Sequence, residues 1–85
     1  GHDSHLAMLL VAARVLTELR EELPVDILFI FQPAEEEIRN SGAERMKDHP
    51  LVRRCDRLIG LHIWGDMEAG TATLESGPVM AASDT

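Results

Sequence analysis

The sequence has little cysteine and few aromatic side chains. Its 85 residues include one cysteine, Cys55, one tryptophan, two phenylalanines and no tyrosine. A single cysteine excludes a disulfide framework and a multi-cysteine zinc site built from this chain alone, and it indicates a reducing, cytoplasmic setting. Hydrophobic residues still make up 45% of the chain. This proportion excludes disorder as its main character and predicts an aliphatic core.

Basic residues and long apolar runs are also scarce. Eight lysines and arginines stand against 15 acidic residues, which gives a net charge of -7. Because an acidic protein repels a phosphate backbone, the composition predicts no nucleic-acid partner. The longest apolar run, residues 6–13, has 8 residues, whereas a membrane-spanning helix needs about 20. We therefore expect no membrane segment, and no signal-peptide pattern is visible.

Nothing in the sequence divides the chain into two domains, since it has no repeat and no linker rich in glycine and serine. Residues 1–85 are therefore expected to form one unit. The chain begins inside an apparent motif, ends in an apparent strand and is shorter than a usual domain of about 100 to 150 residues. We expect it to be an internal fragment of a larger domain.

Two helices are predicted from local patterns. Apolar residues at three- and four-residue spacing predict an amphipathic helix over residues 5–23. Pro24 ends it, because proline disfavours helical backbone in the residue before it. Ser41, with Glu44 three residues later, fits a capping box that opens a short helix through about residue 48.

Four strands are predicted between and after these helices. Continuous apolar residues predict a strand over 26–32 that is buried on both faces, and Pro33 ends its pairing. The other strands are predicted over 58–63, 70–75 and 79–83, and the last two are either a hairpin or a strand leaving for another domain. Helices alternating with strands predict an α/β fold in which helices flank a mostly parallel or mixed sheet.

Three glutamates at 35–37 directly follow the first predicted strand. Open α/β sheets place their ligands at the carboxyl ends of strands. Neighbouring side chains of an extended backbone point in opposite directions, so Glu35 and Glu36 could serve two centres, one binding a metal and the other facing a water molecule. The alternative is an ordinary solvated acidic loop.

Three histidines could supply imidazole ligands: His2, His5 and His62. Together with carboxylates they suit zinc, manganese, cobalt or nickel, and Asp3 could orient one of the rings. Taken singly, each histidine has a plainer interpretation, as a frayed terminus, a helix-surface residue and a hydrogen-bonded core residue respectively. His49 has no such context and is predicted to lie on the surface.

Four motifs resemble one enzyme family in order and spacing. They are GHDSH at 1–5 followed by AMLL at 7–10, FQPAEE at 31–36, GLH at 60–62 and GPVMAASD at 77–84. Together they are similar to the amidohydrolase branch of the zinc-peptidase family M20, which includes aminoacylases, hippurate hydrolases and auxin-conjugate hydrolases. The resemblance covers essentially the whole chain.

The resemblance implies a zinc-peptidase-like catalytic domain that holds two divalent metal ions, with a separate lid domain that often mediates homodimerisation. Residue by residue, it implies that His2, Glu36 and His62 are metal ligands and that Glu35 is the general base. His5 is not a ligand in that pattern. A cysteine directly before Gly1 and a distant downstream histidine would complete the family's metal centre.

The implied reaction is the metal-dependent hydrolysis of the amide bond of N-acyl amino acids, with Glu35 moving the proton of the attacking water. The isolated 85-residue chain is expected to be inactive. Two alternatives stay open: a non-catalytic α/β fragment that lacks a complete metal site, and a dipeptidase or carboxypeptidase of the same superfamily.

Overall fold

The computed structural model describes residues 1–79. Helix α1 spans Asp3–Glu18 and is followed by a 3-10 turn at Arg20–Glu22. Two short helices come later, α2 at Gly42–Met46 and α3 at Pro50–Arg53. No helix in this described part combines the length and apolar character that crossing a bilayer requires.

The first predicted helix is confirmed, with shifted ends. It begins two residues before the predicted start, and its last turn tightens into the 3-10 turn. Leu23 then adopts extended backbone, with φ -83° and ψ 129°. This is the conformation that a following proline imposes, so Pro24 ends the helix as expected. The acidic side chain of Asp3 lies in the first turn, where the helix dipole favours negative charge.

The second predicted helix is confirmed at its start and is shorter than expected. The Ser41 hydroxyl caps α2 by accepting a hydrogen bond from the Ala43 amide at 3.2 Å. The other half of the expected capping box does not form, because Glu44 instead accepts a hydrogen bond from Lys47 at 2.6 Å. The chain then turns, and His49 caps α3 through Nδ1, which accepts from the Leu51 amide at 3.2 Å.

The predicted strands are not found in residues 1–79. Segments 26–32, 58–63 and 70–75 carry no regular secondary structure, and predicted strand 79–83 lies, after its first residue, outside the described residues. A strand persists only where a neighbouring strand satisfies its amide and carbonyl groups, and none of these segments has such a neighbour within the described part. The mixed sheet therefore stays a prediction.

The described residues have no hydrophobic core. No hydrophobic side chain among them is buried, and Leu58, Ile59 and Leu74 are 81%, 93% and 103% exposed. The radius of gyration is 14.9 Å, compared with about 12 Å expected of a compact domain of this length. The expected aliphatic core is thus absent from this part, and the apolar residues of the central segments stay uncovered.

Candidate metal centre

Three histidine rings meet at the N-terminal end of α1. His2 occupies the position directly before the helix and His5 follows one turn later, so that both lie on the same side of it. Their rings stack with centroids 4.9 Å apart. His62 arrives from the extended segment after residue 58 and lies edge-on to both rings, at 5.6 Å from His2 and 4.4 Å from His5. One nitrogen of each ring lies within 4.8 Å of the others.

The backbone of Ile63 determines which nitrogen of His62 is free. Nδ1 of His62 lies 2.5 Å from the carbonyl oxygen of Ile63. A carbonyl oxygen can only accept, so Nδ1 carries the proton and donates it. In a neutral imidazole the other nitrogen then keeps its lone pair. Nε2 of His62 is therefore available to bind a metal ion.

The backbone of Ile63 also engages His5, in the opposite sense. The Ile63 amide donates a hydrogen bond to Nε2 of His5 at 3.2 Å. Because Nε2 accepts, Nδ1 carries the proton of the neutral ring, and neither nitrogen of His5 has a free lone pair. Partial removal from water, then the nearby His62 and His2 rings and the N-terminal amine, lower the pKa of His5 below its ordinary value, while Glu35 opposes them.

His2 brings a carboxylate to the cluster. Its Nδ1 lies 2.8 Å from Oε1 of Glu36, and the two side chains are 56% and 72% exposed. Two ligand atoms on one tetrahedral ion lie about 3.4 Å apart, given bonds of about 2.0 to 2.1 Å. A separation only slightly shorter means that this pair could share an ion after a small movement. Alternatively, Glu36 could orient the His2 ring through Nδ1 while Nε2 of His2 binds the metal ion.

The two glutamates of the FQPAEE motif occupy the centre of a tight turn. The Glu37 amide donates to the Ala34 carbonyl at 3.2 Å, which places Glu35 and Glu36 at the two middle positions. Ala34 has φ 51°, in the left-handed region that L-residues seldom adopt. The glutamates therefore lie in a turn within the loop that Pro33 predicts, rather than in extended backbone. Glu36 contacts His2, and the charge of Glu35 only partly opposes the lowering of the pKa of His5.

A pair of hydrogen bonds closes this glutamate loop at its base. The Gly42 amide donates to the Pro33 carbonyl at 2.9 Å, and Nε2 of Gln32 donates to the Ser41 hydroxyl at 3.2 Å. Gly42 is buried at this contact. These bonds therefore hold together the two ends of the loop that carries Glu35 and Glu36.

The structure brings together residues that the sequence analysis singled out, and His2 makes most of the contacts between them. His2 contacts both Glu36 and His62, and Glu36 joins the histidines through His2. His5, which the family resemblance leaves out of the ligand set, lies inside the cluster with its Nε2 accepting from the Ile63 amide. The sequence signal for it was its position one helical turn after His2. The link from His5 to the Ile63 backbone had no sequence signal.

The order of these motifs along the chain corresponds to a known family. Residues 1–80 match the family model described as peptidase family M20/M25/M40. The chain belongs to this family. The family is generally metal-dependent, and its members have a zinc-peptidase catalytic domain. The donor set here fits such an ion, because imidazole nitrogens and a carboxylate are ligands that zinc and similar metals accept.

Curated relatives extend the comparison. The chain is 42% identical, over 99% of its length, to an N-acyl-L-amino acid amidohydrolase of Geobacillus stearothermophilus. It is 36% identical over 98% of its length to IAA-amino acid hydrolase ILR1-like 4 of Arabidopsis thaliana, and 37% identical over 99% to thermostable carboxypeptidase 2 of Saccharolobus solfataricus.

The match covers only part of each relative. The chain spans about a fifth of their lengths: 22%, 18% and 21% respectively. No solved structure matches the chain. The relatives therefore support amide hydrolysis as the chemistry of the family to which these residues belong.

Proposed function

We propose that the full-length protein containing these residues hydrolyses the amide bond of N-acyl amino acids in a metal-dependent reaction. The observation that carries the proposal is the meeting of three separate segments at one point: His2 contacts Glu36 at 2.8 Å and His62 at a ring distance of 5.6 Å. The name of the Geobacillus relative supports the substrate class.

In this proposal His2, Glu36 and His62 hold divalent metal. Two such ions, when bound, would polarise the amide carbonyl and make a water molecule more acidic. Zinc, manganese, cobalt and nickel all accept this donor set. His62 contributes Nε2, because its Nδ1 donates to the Ile63 carbonyl, and the same bond holds its ring in one orientation.

Glu35 is the proposed general base. It is the neighbour of Glu36 in the turn that contacts His2. In this proposal it binds no metal ion, so its carboxylate stays free. A carboxylate in this position can take a proton from the attacking water and later deliver it to the departing amine. The products are then a carboxylic acid and a free amino acid, with water added across the broken C–N bond.

A second candidate is a carboxypeptidase, which the Saccharolobus relative favours. The bond broken is again an amide, so the same four residues could serve. The difference lies in the acyl side of the substrate, where an N-acyl amino acid carries a simple acid and a peptide carries further amino acids. The N-acyl proposal is preferred because the amidohydrolase relative has the higher identity, 42% against 37%.

The test uses purified full-length protein, stripped with a chelator and reloaded separately with zinc, manganese, cobalt or nickel. Release of free amino acid is measured from a series of N-acetyl and N-benzoyl amino acids and from peptides with matched C-terminal residues. We expect turnover to be lost on stripping and restored by metal, with kcat/KM for the best N-acyl substrate at least about tenfold above that for the matched peptide, about 1.4 kcal/mol in the barrier. Activity that survives stripping, or a preference for peptides, would contradict the proposal.

A further inference from the structure

A single hydrogen bond joins the start of the chain to the segment that carries His62. The Ile63 amide donates to Nε2 of His5 across a separation of 58 residues. Apart from the contact of His2 with Glu36, the other side-chain hydrogen bonds of the described residues join residues at most nine positions apart. The position of His62 beside α1 thus depends on a contact made by its neighbour.

Ile63 acts as a link between the two rings. Its amide donates to His5, and its carbonyl accepts from Nδ1 of His62. Hydrogen bonds thus hold the peptide groups on both sides of Ile63. With these groups held, the direction in which the His62 side chain projects is also restricted. The bond from His5 therefore sets the position of the Ile63 backbone, and that backbone sets the orientation and the tautomer of His62.

We propose that His5 is a positioning residue of the metal centre, which holds the Ile63 backbone against α1 and so keeps the ring of His62 beside His2. This inference rests on the proposed function. His5 does not itself bind metal in this arrangement, because Nε2 accepts from the Ile63 amide and Nδ1 carries the proton. Its ring also stacks on His2 at 4.9 Å and so contacts both metal-binding histidines.

Two amide substitutions separate the hydrogen bond from the ring. Glutamine at position 5 can place an amide oxygen about where Nε2 of histidine lies, whereas asparagine is one methylene shorter and falls short of Ile63. The test compares His5→Gln with His5→Asn in the full-length protein. Zinc affinity is measured by competition with a chromophoric chelator. Exchange of amide hydrogens is measured without metal by mass spectrometry on peptides containing residue 63.

We expect His5→Gln to keep zinc affinity and amide protection within about threefold of the native values. His5→Asn should weaken zinc binding by about 10- to 100-fold, the usual effect of losing a group that orients a metal ligand, and should speed exchange at residue 63. The pair Arg14→Gln and Arg14→Asn, on the exposed side of the same helix, gives the difference due to helix propensity alone.

Two results would overturn the inference. Equal loss of zinc affinity in both His5 variants, with fewer ions bound, would make the imidazole a ligand. Unchanged affinity and exchange in both variants would mean that the Ile63 bond positions nothing. If the native protein binds no metal, the proposed function fails, but the exchange comparison still tests the positioning role, because it is made without metal.

Discussion

The amide of Gly42 donates a hydrogen bond to the carbonyl of Pro33 at 2.9 Å, and this contact closes the loop that carries Glu35 and Glu36. The backbones approach so closely that only glycine fits at position 42. A Cβ atom there would fall on the Pro33 carbonyl oxygen and lie 2.6 Å from Cδ of the proline ring. Neither atom belongs to a flexible side chain that could move aside.

We therefore predict that Gly42→Ala destabilises the full-length protein and displaces Glu36. Alanine favours a helix over glycine by about 1 kcal/mol, but forcing an atom into a filled space costs about 1 to 3 kcal/mol, so the net effect should be a loss of up to about 2 kcal/mol. Urea denaturation measures the loss, and zinc affinity should fall as well. Gly65→Ala is the control, because a Cβ there meets no atom within 4 Å. A Gly42→Ala variant as stable as Gly65→Ala would contradict the prediction.

A second prediction separates the two glutamates. Glu35→Gln keeps volume and polarity but cannot shuttle a proton, so kcat should fall by about 10² to 10⁴ with little change in metal content. Glu36→Gln should lose metal along with activity, because it weakens a ligand bond. Metal analysis of the purified variants by mass spectrometry makes the distinction. If Glu35→Gln lost the ions and Glu36→Gln retained them, the roles would have to be exchanged.

A third prediction concerns the cap of α2. The Ser41 hydroxyl accepts from the Ala43 amide and from Nε2 of Gln32. Ser41→Ala removes both bonds and should lower the free energy of unfolding by about 1 kcal/mol, as is typical of a lost helix cap. Ser41→Thr keeps a hydroxyl and should recover most of that loss. Equal stability of the two variants in urea denaturation would mean that the hydroxyl contributes nothing to the loop base.

Local signals predicted the local structure well. The effect of Pro24 on Leu23 and the capping of α2 by Ser41 depend only on residues a few positions apart, and both are found. The role of His49 as a cap of α3 went unnoticed, although a following proline at the first helical position is a known start signal. The strands depend on partners far along the chain or outside it, and local pattern cannot supply those.

The sequence motifs predicted which residues belong to the candidate site, but not how the main chain arranges them. His2, Glu36 and His62 were identified by resemblance, and the structure brings them to one place. What the sequence could not give is the Ile63 backbone, whose amide and carbonyl engage His5 and His62. Main-chain groups have no sequence signature, so the direction of these hydrogen bonds, and with it the tautomer of each ring, is visible only in the structure.

The last prediction is that the isolated 85-residue chain neither unfolds cooperatively nor catalyses the reaction. No hydrophobic side chain of residues 1–79 is buried, so burial of apolar area, the main favourable contribution to folding, is missing here. Helix α1 has 16 residues, close to the length of about 12 to 15 below which isolated helices are marginal in water. Circular dichroism should show partial helix that melts gradually, with no sharp transition.

Catalysis should fail for the same reason. The side chains proposed to bind metal are held by a few exposed hydrogen bonds, and a site that drifts by about 1 Å can lose about 10²-fold in rate. The assay supplies each of the four metals to the isolated chain and compares its release of amino acid from N-acyl substrates with that of the full-length protein. We expect a rate at least a hundredfold lower. A sharp thermal transition together with turnover within about tenfold of the full-length protein would show that residues 1–85 build a complete site without the rest of the domain.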